Sequence, residues 1–124
     1  MNNLEIEEAK TTPKAVFKTT GEFLLEGVSL PEDSFAFYSP IFKWLNEMTF
    51  KHIVFNIKLE YLNTSSTKQI FMLLKKLTDG EKYGNVEVNW YYEEDDEDMH
   101  EAGEYYSSLL TELKFRFIAY AEVI

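Results

Sequence analysis

Cysteine is absent from this chain, which removes disulfides, thiolate nucleophiles and cysteine-ligated metals together. Only two histidines are present, His52 before a strand and His100 in an acidic segment. No serine sits in a Gly-x-Ser-x-Gly elbow, so neither histidine has the partner that nucleophilic catalysis needs, and both read as surface residues. No glycine-rich loop precedes a helix, which argues against nucleotide and dinucleotide sites of the usual kinds. The chain reads as a non-enzyme with no cofactor.

Basic residues are also scarce. Twelve Lys and Arg face 22 Asp and Glu, a formal net charge of −10. Nucleic acid and anionic membrane surfaces call for clustered cations, so both are disfavoured as partners, whereas basic patches on other proteins are compatible. No apolar run approaches the length that spans a bilayer, so membrane insertion is not expected. Met1 to Lys10 is polar and acidic, without the basic start and apolar run of a signal peptide, and the expected compartment is cytoplasmic.

What the 124 residues do contain is enough for one domain, 45% hydrophobic and 16% aromatic, with ten Phe and eight Tyr to dominate its core. Residues 1–13 read as a flexible lead-in and 14–124 as the domain. Two β-prone runs, Ala15 to Thr19 and Phe23 to Val28, flank Thr20-Gly21-Glu22, a hairpin signal. Proline suits the first position of a helix, so Ser39-Pro40 predicts the first long helix, with Ile41, Trp44, Leu45 and Met48 on one face. Phe55, Ile57, Leu59 and Tyr61 alternate on a strand, and Ile70, Leu73, Leu74 and Leu77 form the stripe of a second helix ending near Asp79-Gly80. Val86, Val88 and Trp90 mark a further strand, the acidic run Glu93 to Asp98 leads into a third helix, and Phe115, Phe117 and Ala119 alternate on a last strand. The expected fold is α/β, in the order β-β-α-β-α-β-α-β, with a mixed sheet of about five strands and Phe55, Ile57, Leu59 and Trp90 buried.

Two stretches carry candidate chemistry. Asn63, Thr64, Ser65 and Ser66 join a buried strand to an amphipathic helix, where unpaired backbone N–H groups and the helix dipole favour oxygen and negative charge. One such residue suffices as N-cap, and on chemistry alone capping is the simpler reading; a bound anion or a phosphate on a side chain are the others. Glu93, Glu94, Asp95, Asp96, Glu97 and Asp98 offer carboxylates to a hard cation such as Mg²⁺ or Ca²⁺. The run lacks EF-hand spacing, and a solvated helix start explains it as well. A small metal-binding domain or metal-dependent enzyme built on these carboxylates is the alternative function.

Several blocks, in order along nearly the whole chain, then point to a family. They are Thr12-Pro13, Gly27-Val28-Ser29-Leu30-Pro31-Glu32-Asp33-Ser34, and Phe37-Tyr38-Ser39-Pro40 with Trp44. Glu60-Tyr61-Leu62-Asn63-Thr64-Ser65-Ser66, Trp90-Tyr91-Tyr92-Glu93-Glu94-Asp95-Asp96, and Asp98-Met99 with Gly103-Glu104 follow. Together they resemble the SiaC family of bacterial regulatory phosphoproteins, with Asp33 standing where the family pattern has Asn. The resemblance implies a STAS-like fold akin to anti-sigma-factor antagonists, and no catalytic site. It implies a threonine, Thr64 by motif position, that a partner kinase phosphorylates and a PP2C-like phosphatase restores. It further implies that the unphosphorylated form binds and activates an output protein such as a diguanylate cyclase, raising cyclic-di-GMP and promoting biofilm formation.

On this reading Tyr61, Leu62, Asn63, Ser65, Ser66 and Lys68 surround Thr64 and contribute to partner contact. A phosphate on Thr64 adds roughly −1.5 to −2 charge. If the strands ending at Tyr61 and Tyr92 are parallel neighbours, that charge faces Glu93, Glu94, Asp95 and Asp96, and repulsion re-aims a loop or spoils a basic docking site.

Overall fold

Alternating side chains decide which face of the sheet becomes core. The computed structural model describes residues 2–122. Met1 and residues 123–124, the outer ends of the lead-in and domain as bounded above, lie outside the described residues. Strands β1 (Leu4–Ile6), β2 (Lys14–Phe17), β3 (Glu22–Ser29), β4 (His52–Leu62), β5 (Asn85–Glu93) and β6 (Lys114–Tyr120) form one sheet in chain order. β1, β2 and β3 pair antiparallel, and β3 through β6 pair parallel. The register sets Phe23 beside Phe55 and Phe55 beside Val88, then Leu25 beside Ile57 and Ile57 beside Trp90, all buried. Leu24, Asn56 and Asn89, on the opposite face, are only half-buried. Leu59 is buried as well, so the expected core positions of β4 and β5 are correct.

Helices α1 (Ser34–Asn46), α2 (Thr64–Lys76), α3 (Gly80–Tyr83) and α4 (Glu97–Leu109) connect the parallel strands. Crossovers of one hand between strands laid in sequence put the helices on one face. Ile41 and Leu45 of α1, Ile70 and Leu73 of α2, and Met99 and Tyr106 of α4 accordingly join the strand residues in a single core cluster.

The structure corrects the sequence reading in three places. The lead-in contains a strand: Leu4 and Ile6 pack against the core, in register with Phe17 and Ala15, and Trp44 Nε1 donates to the Asn2 carbonyl at 2.9 Å. The sheet therefore has six strands. Helix α1 begins at Ser34, not Ser39, with Asp33 as N-cap accepting from Ala36 N at 3.0 Å. Pro40 lies inside it, tolerated because the Ala36 carbonyl it leaves unserved is on an exposed turn open to water. The short α3 separates α2 from β5, and its Tyr83 is buried, donating to the Leu45 carbonyl at 3.0 Å. The strand expected at Phe115, Phe117 and Ala119 is β6, and Phe117 and Ala119 are exposed on it because it is an edge strand with no neighbour on its far side.

Two glycines are dictated by geometry. Gly21 turns the β2–β3 hairpin at φ 96°, and a Cβ there would meet the His52 carbonyl oxygen at 2.4 Å. Gly103 lets α4 settle onto β5, since a Cβ would lie 2.5 Å from the Trp90 ring. Trp90 Nε1 also donates to the Met99 carbonyl at 2.9 Å, so helix and indole are locked together.

Candidate functional site

The β4–α2 junction assigns a separate task to each of its polar side chains. Asn63 is the N-cap of α2, its Oδ1 accepting from Ser66 N at 2.8 Å. The same oxygen accepts from Ser65 Oγ at 3.2 Å. Ser66 Oγ donates to the Ser29 carbonyl at 3.1 Å, and Thr67 Oγ1 donates to the Asn63 carbonyl at 3.1 Å. Thr64 is different. It occupies the first position of α2, is exposed, and among the described residues its hydroxyl makes no hydrogen bond. Of the four consecutive hydroxyls it alone makes no hydrogen bond among the described residues.

Ser66 does not belong to the partner-facing surface expected for it. It is fully buried, at i−4 from Ile70, and its stripe faces the sheet. Ser29 Oγ donates to Ser66 Oγ at 2.7 Å, and Tyr38 Oη lies 2.6 Å from Ser29 Oγ. A serine hydroxyl has one hydrogen, so with that of Ser29 directed to Ser66 the tyrosine is the donor to Ser29. Burial pushes the Tyr38 hydroxyl up to about 12, against the opposing effect of its bonds to Ser29 and Ser66. On the other flank, Tyr106 Oη donates to the Thr67 carbonyl at 2.7 Å. The first turn of α2 is thus tied to β3, α1 and α4 while its outer side stays open.

β4 and β5 are parallel neighbours, so their carboxyl ends emerge on one edge of the sheet. There a cavity of about 270 Å³ is lined by Glu60, Tyr61, Leu62, Thr67, Asp96, Asp98, Met99 and Ala102. A second, of about 310 Å³, adds Glu93, Tyr120 and Glu122. The Tyr120 hydroxyl is pushed up by burial, then by the charges of Glu60, Glu93, Asp96 and Glu122. Lys58 Nζ sits 4.6 Å from the centroid of the Tyr120 ring.

The acidic run does local work. Asp96 is the N-cap of α4, accepting from Met99 N at 3.0 Å, and Glu93 Oε2 accepts from Asp95 N at 2.8 Å. Glu97 and Asp98 occupy the first turn, where negative charge complements the dipole. Glu93, Glu94 and Asp95 each place a carboxylate oxygen within 4.8 Å of the others, a set that could hold a cation.

Tyr61, Ser65 and Lys68 are exposed beside Thr64, and Leu62 and Asn63 are half-exposed. Ser29, Tyr38, Thr67 and Tyr106 were not singled out from the sequence as site residues. Ser29 and Tyr38 do stand in the blocks that carry the resemblance, which is the signal that marks them. No helix among the described residues is long and apolar enough to cross a membrane.

Comparison with known proteins is consistent across sequence and structure. A family model described as SiaC family regulatory phosphoprotein matches residues 6–120. A protein of Pseudomonas aeruginosa (strain UCBPP-PA14) is 27% identical over 109 residues, 84% of this chain and 86% of that protein. The crystal structure of apo-SiaC from Pseudomonas aeruginosa superposes with a TM-score of 0.81 at 25% identity, covering 96% of this chain and 100% of that one. The crystal structure of diguanylate cyclase SiaD in complex with its activator SiaC, also from Pseudomonas aeruginosa, gives 0.84 at 24% identity, covering 94% and 99%. The mixed α/β fold is that of the SiaC structures.

Proposed function

The chain belongs to the SiaC family of regulatory phosphoproteins, and from that premise we propose that it is a non-catalytic, threonine-phosphorylation-controlled protein–protein switch of the cytoplasm. In its unphosphorylated form it binds and activates an output partner, a diguanylate cyclase. A partner kinase phosphorylates Thr64 and a PP2C-like phosphatase removes the group.

The observation that carries this reading is the isolation of Thr64. Its three hydroxyl-bearing neighbours are held by Asn63 or Ser29, while Thr64 is exposed and unengaged at the start of a helix. A phosphate there meets the unpaired N–H groups of the first turn, so the domain keeps its fold on modification. The carboxylates of Glu60, Asp96 and Asp98 line the cavity at Thr67, one turn along α2, so the added anion extends an already negative edge. A partner that tolerates the neutral hydroxyl then meets repulsion. This fits the neighbouring solved complex, in which SiaC is the activator of the diguanylate cyclase SiaD.

Reconstitution tests the reading. A candidate diguanylate cyclase partner is assayed for cyclic-di-GMP formation with the unmodified chain and with chain treated by a candidate partner kinase. Intact-mass and fragment spectra locate the phosphate. Activation by the unmodified form only, with the group on Thr64, is the expected result. Equal activation by both forms, or a phosphate elsewhere, rejects it.

A further inference from the structure

Strand β6 leaves a long edge of the sheet open. Among the described residues it has β5 on one side and no strand on the other, whereas the opposite edge, β1, is only three residues long. The seven residues of β6 include neither proline nor glycine, and the strand follows β5 without a register shift. Short length, proline and bulges blunt most strand edges, and β6 has none of them. Its two cations, Lys114 and Arg116, are the remaining deterrent, and their placement decides what can pair there.

The Tyr120 carbonyl turns toward β5, accepting from Glu94 N at 2.8 Å. Alternation turns the N–H and C=O groups of Lys114, Arg116 and Ile118 the same way, and those of Phe115, Phe117 and Ala119 outward. The side chains of that outward set lie on the helix-covered face. Phe115 packs against the core, and the Phe117 ring, 37% exposed, has its centroid 5.7 Å from that of His100 of α4. The two ends of the strand differ in charge. Lys114 and Arg116 are exposed near its start, and among the described residues neither makes an ion pair; Glu87, beside Lys114 in register, lies 3.1 Å from His52 instead. At the far end Tyr120 shares a cavity with Glu60, Glu93, Asp96 and Glu122.

We propose that β6 pairs antiparallel with β6 of a second copy of this chain, about a two-fold axis at Phe117, to make one continuous sheet. Phe117 then faces Phe117 of the second copy, and Phe115 faces Ala119. Every outward backbone group from Phe115 to Ala119 gains a partner, and a large side chain meets a small one. On the open face Arg116 lies opposite Ile118 and Lys114 opposite Tyr120. The basic end of each strand is thereby delivered to the acidic end of the other. Charge also fixes the register. A two-fold at Phe115 keeps the same backbone pattern but sets Lys114 against Arg116, like against like. The pairing is independent of the phosphate switch, which concerns the β4–α2 junction.

A chain without cysteine makes the test direct. Phe117→Cys introduces a single thiol, and the two-fold sets the two Cα atoms at that position about 5.5 Å apart, within disulfide reach. Oxidation should cross-link this variant at least about tenfold faster than Glu5→Cys, an exposed site on the opposite edge strand. Sedimentation of the full chain at rising concentration should show a monomer–dimer equilibrium that salt weakens. Ala119→Pro removes an outward N–H and leaves the ladder to β5 whole, so the dimer Kd should rise at least about tenfold with the circular dichroism unchanged. Lys114→Glu alters only an exposed side chain and should weaken the dimer in the same direction, which keeps the test open if the proline variant loses its fold. A chain that stays monomeric to millimolar concentration would overturn the proposal. So would a dimer that both variants leave unchanged, or cross-linking no faster for Phe117→Cys than for Glu5→Cys.

Discussion

Ser66 Oγ lies 2.7 Å from Ser29 Oγ, which joins the first turn of α2 to the end of β3. Two residues earlier, on the opposite side of the same turn, Thr64 is exposed, and among the described residues its hydroxyl makes no hydrogen bond. The turn is held from within and free on its outer face, as a site must be if it is to gain and lose a charge without losing its place.

That asymmetry predicts unequal costs for two similar truncations. Ser66→Ala leaves the Ser29 hydroxyl buried without its acceptor, at an expected cost of about 1–3 kcal/mol. Thr64→Ala removes an exposed hydroxyl with no partner and should stay within about 0.5 kcal/mol of the parent. Urea denaturation followed by circular dichroism measures both, and equal midpoints would show that the buried serine pair does not hold the turn.

Tyr38 predicts a pH dependence. Its folded-state value is raised from 10.0 to about 12, chiefly by burial. The stability this contributes is complete below pH 10 and is lost as pH rises toward 12, because the unfolded chain releases the proton first. Two pH units correspond to about 2–3 kcal/mol at most. Tyr38→Phe should flatten that part of the alkaline decline, leaving the portion due to Tyr106, Tyr83 and Tyr120, which are also raised. Denaturation midpoints between pH 9 and pH 12 (about the window set by the shift) give the comparison. Parallel curves for parent and variant would count against the assignment.

Much of the fold was legible because alternation and helical spacing are strong signals in β3, β4, β5 and α2, whose buried faces follow them closely. The failures have physical causes. Pro40 was given its usual place at a helix start, but packing of Tyr38 and Ile41 on one face overrides that local cost. Leu4 and Ile6 are two apolar residues in an acidic stretch, too few to announce a strand until a neighbouring edge is available to pair with. Ser66 was read as surface because it stands in a polar run. Extending the stripe of Ile70, Leu73 and Leu77 back by one turn reaches it, so its burial was written in the helical period. The alternation of Phe115, Phe117 and Ala119 did mark a strand, β6, but alternation alone does not place a strand at the edge of a sheet.

The contact between Gly103 and Trp90 makes a sharp packing prediction. An added Cβ would lie 2.5 Å from a buried indole that is itself bonded to the Met99 carbonyl, so neither partner can step aside. Helix α4 must lift. Gly103→Ala should destabilise by about 1–3 kcal/mol despite the better helix propensity of alanine. Because α4 forms one wall of the cavity beside Thr67, the change should also disturb NMR shifts at Thr67 and Ala102. A variant as stable as the parent would show that the helix does not sit where Trp90 now holds it.

Thr64 itself gives the prediction in which stability and binding move in opposite directions. Thr64→Ala should bind and activate the output partner as the unmodified chain does. Thr64→Asp places a carboxylate in the first turn of α2, where the helix dipole favours it by roughly 0.3–1 kcal/mol. The Asp variant should therefore be at least as stable as the parent while binding its partner more weakly, since one added charge opposes the same docking that phosphate opposes. Isothermal titration with the cyclase gives the affinity and thermal melting gives the stability. Ser65→Asp is the control: its hydroxyl already serves Asn63, so a comparable loss of binding there would mean that any negative charge in this turn suffices. Weakened binding by the Asp variant together with a lowered melting point would trace the effect to unfolding. Only the combination of intact fold and weakened binding, specific to Thr64, fits a phosphate-controlled surface.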